Sequence, residues 1–145
     1  MQLYLPDESA TQRLGEQLAS MAQPGDVLLL EGPLGAGKSC LSRAFIRALM
    51  GDLRLVVPSP TFTLVQTYET QAGLEIWHYD LWRLDGPHAL VELGWDEAMA
   101  GIVLVEWPDR LETLTPPNAW RLCLSPAGPG RVANITGDLR GFNVS

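Results

Sequence analysis

The sequence is short of lysine, and this shortage limits what the chain can bind. Of its ten lysine and arginine residues only Lys38 is a lysine, and seventeen aspartate and glutamate residues bring the formal net charge to −7. Nucleic-acid-binding domains are usually basic, with lysine and arginine clustered on one face. An acidic chain whose arginines are scattered lacks that surface, so we predict no direct binding of nucleic acid.

Targeting signals, membrane spans and paired cysteines are also missing from the pattern. No apolar run approaches the roughly 18 residues of a membrane span, and residues 1–8 form neither the basic nor the apolar part of a secretion signal. We therefore predict a cytoplasmic protein that does not contact a membrane. In that compartment Cys40 and Cys123 are expected to be core residues rather than a disulfide.

One segment predicts a specific chemistry. Residues 32–39 read GPLGAGKS and match G-x-x-x-x-G-K-[ST], the phosphate-binding P-loop. The flanks fit, because VLLLE (27–31) is typical of a buried strand and the apolar residues after Ser39 follow a helical period that ends at Gly51. In such a loop the glycines let backbone N–H groups converge on phosphate oxygens. Lys38 reaches the β- and γ-phosphates, and the Ser39 hydroxyl is a ligand for Mg²⁺.

Two strand-terminal carboxylates are candidates for the metal and the attacking water. Glu106 ends the apolar run IVLV (102–105), and Asp80 ends another candidate strand on the same face as His78. At the carboxyl edge of a sheet, one carboxylate would hold Mg²⁺ while the other orients water. A solvated loop or a helix cap is the alternative for each. Between the P-loop helix and the strands that follow it, SPTFT (59–63) is either a switch loop that senses the γ-phosphate through Thr61 or Thr63, or an ordinary turn.

Further absences narrow the class of nucleotide-binding protein. The guanine-specifying N-K-x-D element requires a second lysine, so the sequence favours ATP. No cluster of arginines lies between the P-loop and Glu106, which weakens a small-molecule kinase as the alternative function. Without an identifiable arginine finger in the chain, we expect slow hydrolysis by the isolated protein.

Periodicity predicts the fold around these residues. Ser9 to Met21 is expected to be a helix, with shorter helical stretches at 87–93, 96–100 and 109–115. Continuous apolar runs at 27–31 and 102–106 suit central parallel strands. Strands at 61–68 and 74–81, joined through 70–73, and at 119–124 and 131–136 suit antiparallel additions. We predict one domain over residues 1–145. Its fold class is α/β, a P-loop NTPase-like three-layer sandwich with a mixed, mainly parallel central sheet and antiparallel additions.

The motifs together resemble a known family. GPLGAGKS, SPTFTLV (59–65), HYDLWRL (78–84), ELG (92–94) and VEWPDR (105–110), in that order, are similar to the bacterial TsaE family, formerly YjeE, over residues 7–136. The resemblance implies a weak ATPase that supports formation of threonylcarbamoyladenosine at position 37 of tRNA. It also implies docking on a complex of TsaD-like and TsaB-like proteins, so contact with tRNA would run through these partners. A nucleotide-dependent binding module that does not require hydrolysis is an alternative.

The resemblance also implies roles for individual residues. Asp80 matches a carboxylate needed for activity, and Ser39 and Glu106 match the Mg²⁺ ligands. The residues that match the family's nucleotide contacts are Gly35, Ala36, Gly37, Lys38, Ser39 and Cys40 at the phosphates and Thr11 and Arg131 near the base. Two positions depart from the pattern. Cys40 replaces a frequent threonine and loses its hydroxyl, and Pro33 replaces a frequent aspartate.

Overall fold

The part of the chain that the structure describes forms seven strands and three α-helices. The structure is a computed structural model that describes residues 1–33 and 35–137. The strands are β1 (Gln2–Leu5), β2 (Val27–Glu31), β3 (Val65–Glu69), β4 (Glu75–Asp80), β5 (Ile102–Glu106), β6 (Trp120–Ala127) and β7 (Gly130–Thr136). The helices are α1 (Glu8–Met21), α2 (Lys38–Met50) and the short α3 (Trp95–Ala98). Two 3₁₀ segments, Pro87–Ala89 and Pro108–Leu114, follow β4 and β5.

All seven strands form one mixed sheet in the order β1-β7-β6-β2-β5-β4-β3. The central strands β6, β2, β5 and β4 are parallel. At one edge β3 pairs antiparallel with β4, and at the other β7 pairs antiparallel with β6 and β1 pairs antiparallel with β7. Because β2, β4 and β5 run the same way, their carboxyl ends lie at one edge of the sheet. This arrangement confirms the predicted α/β fold class with a mixed sheet. The prediction of residues 74–81 and 119–124 as antiparallel additions was wrong, because β4 and β6 join β5 and β2 in the parallel centre, and β3 and β7 are the strands that pair with them antiparallel.

Apolar residues cover both faces of the central strands, which explains the unbroken apolar runs of β2 and β5. On one face Leu28 and Leu30 pack with α1 and α2, and on the other Val27 and Leu29 pack with α3 and the 3₁₀ segments. These two cores make the predicted three layers. Helices α1 and α2 approach closely at Gly15, where a Cβ would lie 2.9 Å from the Leu41 carbonyl oxygen.

Several element boundaries differ from the prediction for local reasons. The strand predicted at 61–68 begins only at Val65, because the Leu64 N–H donates to the Pro60 carbonyl at 2.7 Å and closes a turn in which Leu64 has a φ of 70°. The helix predicted at 87–93 contracts to a 3₁₀ segment of three residues, followed by turns. Strands β6 and β7 run closer to their connecting turn than predicted, and β1 was not predicted.

Within residues 1–33 and 35–137, no helix combines the length and the apolar character needed to cross a membrane.

Candidate nucleotide-binding site

The P-loop lies between β2 and α2, and the need for glycine is clearest at two of its positions. Gly32 has a φ of 147°, and a Cβ there would lie 2.5 Å from the Leu124 carbonyl oxygen. Gly37, with a φ of 102°, immediately precedes α2 and offers no side chain to cap it. The first backbone N–H groups of a helix have no intrahelical partner, and together with the helix dipole they favour an anion. The loop and the start of α2, called the cradle below, therefore suit an anionic ligand.

Lys38 is the most unusual residue of this cradle because its ammonium is buried and makes no hydrogen bond to the part of the chain that the structure describes. The side chain is 6% exposed, and Nζ has no hydrogen-bond partner among the described residues. Nζ lies 3.8 Å from the centroid of the Trp107 ring, a cation–π contact. Burial lowers the pKa of Lys38, while the negative charges of Glu106 and Asp80 act in the opposite direction. A buried, unpaired ammonium costs free energy, so an anionic ligand would relieve a cost that the fold carries.

Asp80 and Glu106 lie side by side, as the strand order requires. They end the adjacent parallel strands β4 and β5 and are register partners, 5% and 6% exposed. Asp80 accepts hydrogen bonds at both oxygens, from Thr61 Oγ1 to Oδ2 at 3.1 Å and from the Trp82 N–H to Oδ1 at 3.0 Å. Glu106 Oε2 lies 2.7 Å from His78 Nε2. The structure thus brings the predicted carboxylate pair together at the edge where the P-loop lies.

The cradle and the carboxylates open into one cavity of about 340 Å³. Ser39 is exposed at the N-terminus of α2, so its hydroxyl is available there. The predicted site residues that line this cavity are Gly35, Gly37, Lys38, Ser39 and Cys40 from the loop and helix, together with Asp80, Glu106 and Arg131. Ala36 is buried in the core and does not line the cavity.

Thr11 and Arg131 come from distant parts of the chain and meet beside the P-loop. Arg131 Nη1 donates to Thr11 Oγ1 at 3.1 Å, and its guanidinium lies so near Gly37 that a Cβ there would be 2.6 Å from Nη1. Thr11 is fully buried and does not line the cavity, so its hydroxyl holds the arginine in place. Of this predicted pair, Arg131 is the one that a ligand in the cavity can reach.

The cavity also includes residues that sequence reasoning left open or missed. Thr61 bonds to Asp80, whereas Thr63 accepts from Gln66, so Thr61 is the threonine at the site. Arg43 lines the cavity and lies four residues after Ser39, a spacing that places both on one face of a helix and gives a usable signal. Glu8, in the first turn of α1, has no signal in the sequence because only the packing of α1 on α2 brings it there.

The donor set suits Mg²⁺ held jointly with a nucleotide. Across residues 1–33 and 35–137, no three His, Cys, Asp or Glu side chains cluster as a metal site. Mg²⁺ prefers oxygen ligands and commonly combines one or two protein ligands with phosphate oxygens and water. The Ser39 hydroxyl and the carboxylate of Glu106 line the same cavity as the anion cradle and fit that pattern.

The fold and the loop define the class as P-loop NTPase-like α/β proteins, and the comparisons with known proteins narrow it. The family model described as "Threonylcarbamoyl adenosine biosynthesis protein TsaE" matches residues 5–132. The chain belongs to this TsaE family, which is named for its part in threonylcarbamoyladenosine biosynthesis.

Individual relatives agree with the family match. The chain is similar to two proteins called tRNA threonylcarbamoyladenosine biosynthesis protein TsaE. The one from Rickettsia felis is 43% identical in an alignment that covers 79% of this chain and 67% of the relative. The one from Rickettsia conorii is 42% identical, and the alignment covers 78% of this chain and 65% of the relative. The chain therefore spans about two thirds of the length of these relatives. The crystal structure of YdiB from Bacillus subtilis superimposes with a TM-score of 0.76 at 30% identity, covering 94% of this chain and 84% of that one.

Proposed function

We propose that this protein binds ATP with Mg²⁺ and hydrolyses it slowly, in support of forming the threonylcarbamoyl group on adenosine 37 of tRNA together with TsaD-like and TsaB-like proteins. The observation that carries the proposal is the buried Lys38 ammonium at the end of a glycine loop, which has no hydrogen-bond partner among the described residues and lies near two buried carboxylates. The family membership supports the tRNA pathway, and the names of the relatives supply the product. The participation of TsaD-like and TsaB-like proteins is inferred from the resemblance of the sequence motifs to the family.

In this proposal the P-loop and α2 hold the phosphates. The free N–H groups at the start of α2 and the Lys38 ammonium face the negative oxygens. Arg131, fixed by Thr11 against Gly37, lines the same cavity and can contact the nucleotide there. Because Lys38 is already desolvated, little further desolvation is needed when the anion arrives.

The carboxylates divide the remaining work. Ser39 and Glu106 would hold Mg²⁺, which on binding neutralises phosphate charge. We assign Glu106 to the metal because Oε2 is engaged by His78, while Oε1 has no side-chain hydrogen bond to any residue that the structure describes. We assign Asp80 to the attacking water because Thr61 and the Trp82 amide fix its carboxylate in one orientation. A held acceptor at this place can orient a water molecule for in-line attack.

The decisive experiment is the substitution Glu106→Gln, which keeps the shape of the side chain and removes its charge. We expect ATP binding to persist, seen by calorimetry, while hydrolysis and multiple-turnover tRNA modification with the partner proteins are lost. Glu75→Gln, at the exposed opposite end of β4, is the matched control and should behave as wild type.

Two results would replace the proposal with its alternatives. If Glu106→Gln abolishes hydrolysis and modification still runs through many turnovers, the protein is a nucleotide-dependent binding module. If the wild-type protein with ATP yields a phosphorylated small-molecule product in cell extract, it is a kinase. A turnover of the isolated chain near the ordinary enzyme value of about 10 s⁻¹ would also contradict slow hydrolysis.

A further inference from the structure

His78 is a buried polar residue to which the proposed mechanism gives no separate role. Its ring is 2% exposed, and Nε2 lies 2.7 Å from Glu106 Oε2, a short charge-assisted contact. His78 lies two residues before Asp80 on β4, so both side chains project from the same face of the sheet. The neighbouring strand β5 supplies Glu106 on that face. The histidine therefore holds one oxygen of a carboxylate whose other oxygen has no side-chain hydrogen bond within residues 1–33 and 35–137.

A second, smaller cavity lies behind this pair. It has a volume of about 170 Å³, and Ser39, Ser42, His78 and Glu106 are among the residues that line it. Two atoms of these residues are buried and have no hydrogen-bond partner among the described residues, His78 Nδ1 and Ser42 Oγ. A polar cavity of this size accommodates water, which needs two to four polar partners. A donor to Nδ1 on this side would keep the ring proton on Nε2, facing the carboxylate.

We propose that His78 is a positioning residue for Glu106: its Nε2–H fixes the rotation of the carboxylate so that Oε1 is presented to the cavity that holds Lys38 and Ser39. The terminal torsion of a glutamate is broad when nothing restrains it, and a metal ligand is effective only in a narrow range of orientations. Residues that orient ligands in this way typically contribute 10- to 100-fold to metal affinity or activity. The magnesium part of this inference rests on the proposed function.

The first test does not depend on nucleotide or on activity. Nitrogen-15 NMR of the nucleotide-free protein reports which ring nitrogen carries the proton, and the spectrum is simple because the chain has only two histidines. We expect a proton on Nε2 of His78, with a resonance that moves in the Glu106→Gln variant. Absence of a proton on Nε2 would overturn the inference, because the ring could not then donate to Glu106.

The second test compares three variants by the Mg²⁺ concentration that half-saturates ATP hydrolysis. His78→Leu should raise that concentration about 10-fold while the affinity for ATP without metal changes less than twofold. His78→Gln, whose amide can donate to Glu106, should recover most of the effect. His88→Leu is the matched control, because His88 is exposed in the first 3₁₀ segment.

The outcomes separate this inference from the proposed function. If His78→Leu leaves the Mg²⁺ requirement unchanged, or if His78→Gln is as defective as His78→Leu, the positioning role is wrong. If the wild-type protein itself shows no binding of magnesium ATP, the proposed function fails. The NMR experiment then still decides whether His78 donates to Glu106.

Discussion

The substitution Lys38→Met tests the central claim that the buried ammonium is held ready for a polyphosphate. Methionine has nearly the length of the lysine stem and can keep the contact with Trp107. Sulfur–aromatic contacts contribute about 0.3–1.5 kcal/mol, against about 0.5–2 kcal/mol for a cation–π contact. The exchange therefore removes the charge with little change in packing, which makes binding and folding separately measurable.

The expected loss of affinity follows from the contacts that the ammonium can make. Lys38 can donate to two phosphate oxygens, and a hydrogen bond to a charged group contributes about 1.5–3 kcal/mol. Taking about 3 kcal/mol in total, the Kd for ATP rises on the order of 100-fold. Burial has already removed most water from Lys38, so little desolvation cost offsets this figure.

The same substitution should not destabilise the nucleotide-free protein. The pKa of Lys38 is lowered by burial relative to its ordinary value of 10.5, so the unfolded chain binds this proton more tightly than the folded one. The charged lysine therefore costs stability at neutral pH, and the cost disappears as the pH rises through the lowered pKa towards 10.5. The methionine variant should have an equal or higher Tm at pH 7, and any advantage should shrink at alkaline pH.

Calorimetry with a non-hydrolysable ATP analogue and Mg²⁺ measures the change in nucleotide affinity. Thermal unfolding at pH 7 and pH 10 measures the change in stability. Arg13→Met removes one positive charge from an exposed position of α1 and is the matched control. A Kd within fivefold of wild type for Lys38→Met would refute the reasoning. So would a Tm lowered at pH 7, because the ammonium would then be stabilising the fold.

Two further predictions concern the same cradle. Gly37→Ala should destabilise the protein by about 1–3 kcal/mol because of the left-handed φ at this position. It should also weaken nucleotide binding, because the new Cβ would displace the guanidinium of Arg131. Gly51→Ala, with a φ of 66° and open space around it, is the control and should lower stability without lowering the affinity for nucleotide. A Tm for Gly37→Ala equal to wild type would contradict this. Burial raises the pKa of the Cys40 thiol, so alkylation of Cys40 at pH 8 should be slow, and slower still with bound nucleotide. Peptide mass spectrometry measures the rate, and rapid labelling of Cys40 would contradict the prediction.

The sequence predicted those elements whose structure is set by residues adjacent in the chain. The boundaries of β2 and the start of α2 were predicted because the P-loop motif fixes the loop between them, and Gly51 marks the end of the helix. The proximity of Asp80 and Glu106 followed from a general rule, since parallel strands bring their carboxyl ends to one edge. For Asp80 the rule also needed β4 to run parallel to β5, whereas the alternating pattern of residues 74–81 favoured an antiparallel addition.

The features that the sequence did not predict depend on pairing between distant strands, which no short stretch of sequence reveals. Strand β1 is short and partly exposed, and its partner β7 lies at the other end of the described chain. The contact of Arg131 with Thr11 depends on that pairing and was indicated only by the family resemblance. The bond between His78 and Glu106 needed the register of β4 on β5, in which Asp80 and not His78 lies opposite Glu106.

The solitary lysine gives the chain one cleavage point for a lysine-specific endoprotease, at the first residue of α2. While the fold is intact, that peptide bond is held within a helix and its side chain is almost fully covered. Cutting therefore requires the start of α2 to unwind. The rate of digestion therefore reports how readily the start of α2 unwinds. A polyphosphate ligand that stabilises this first turn should lengthen the half-life of the intact chain.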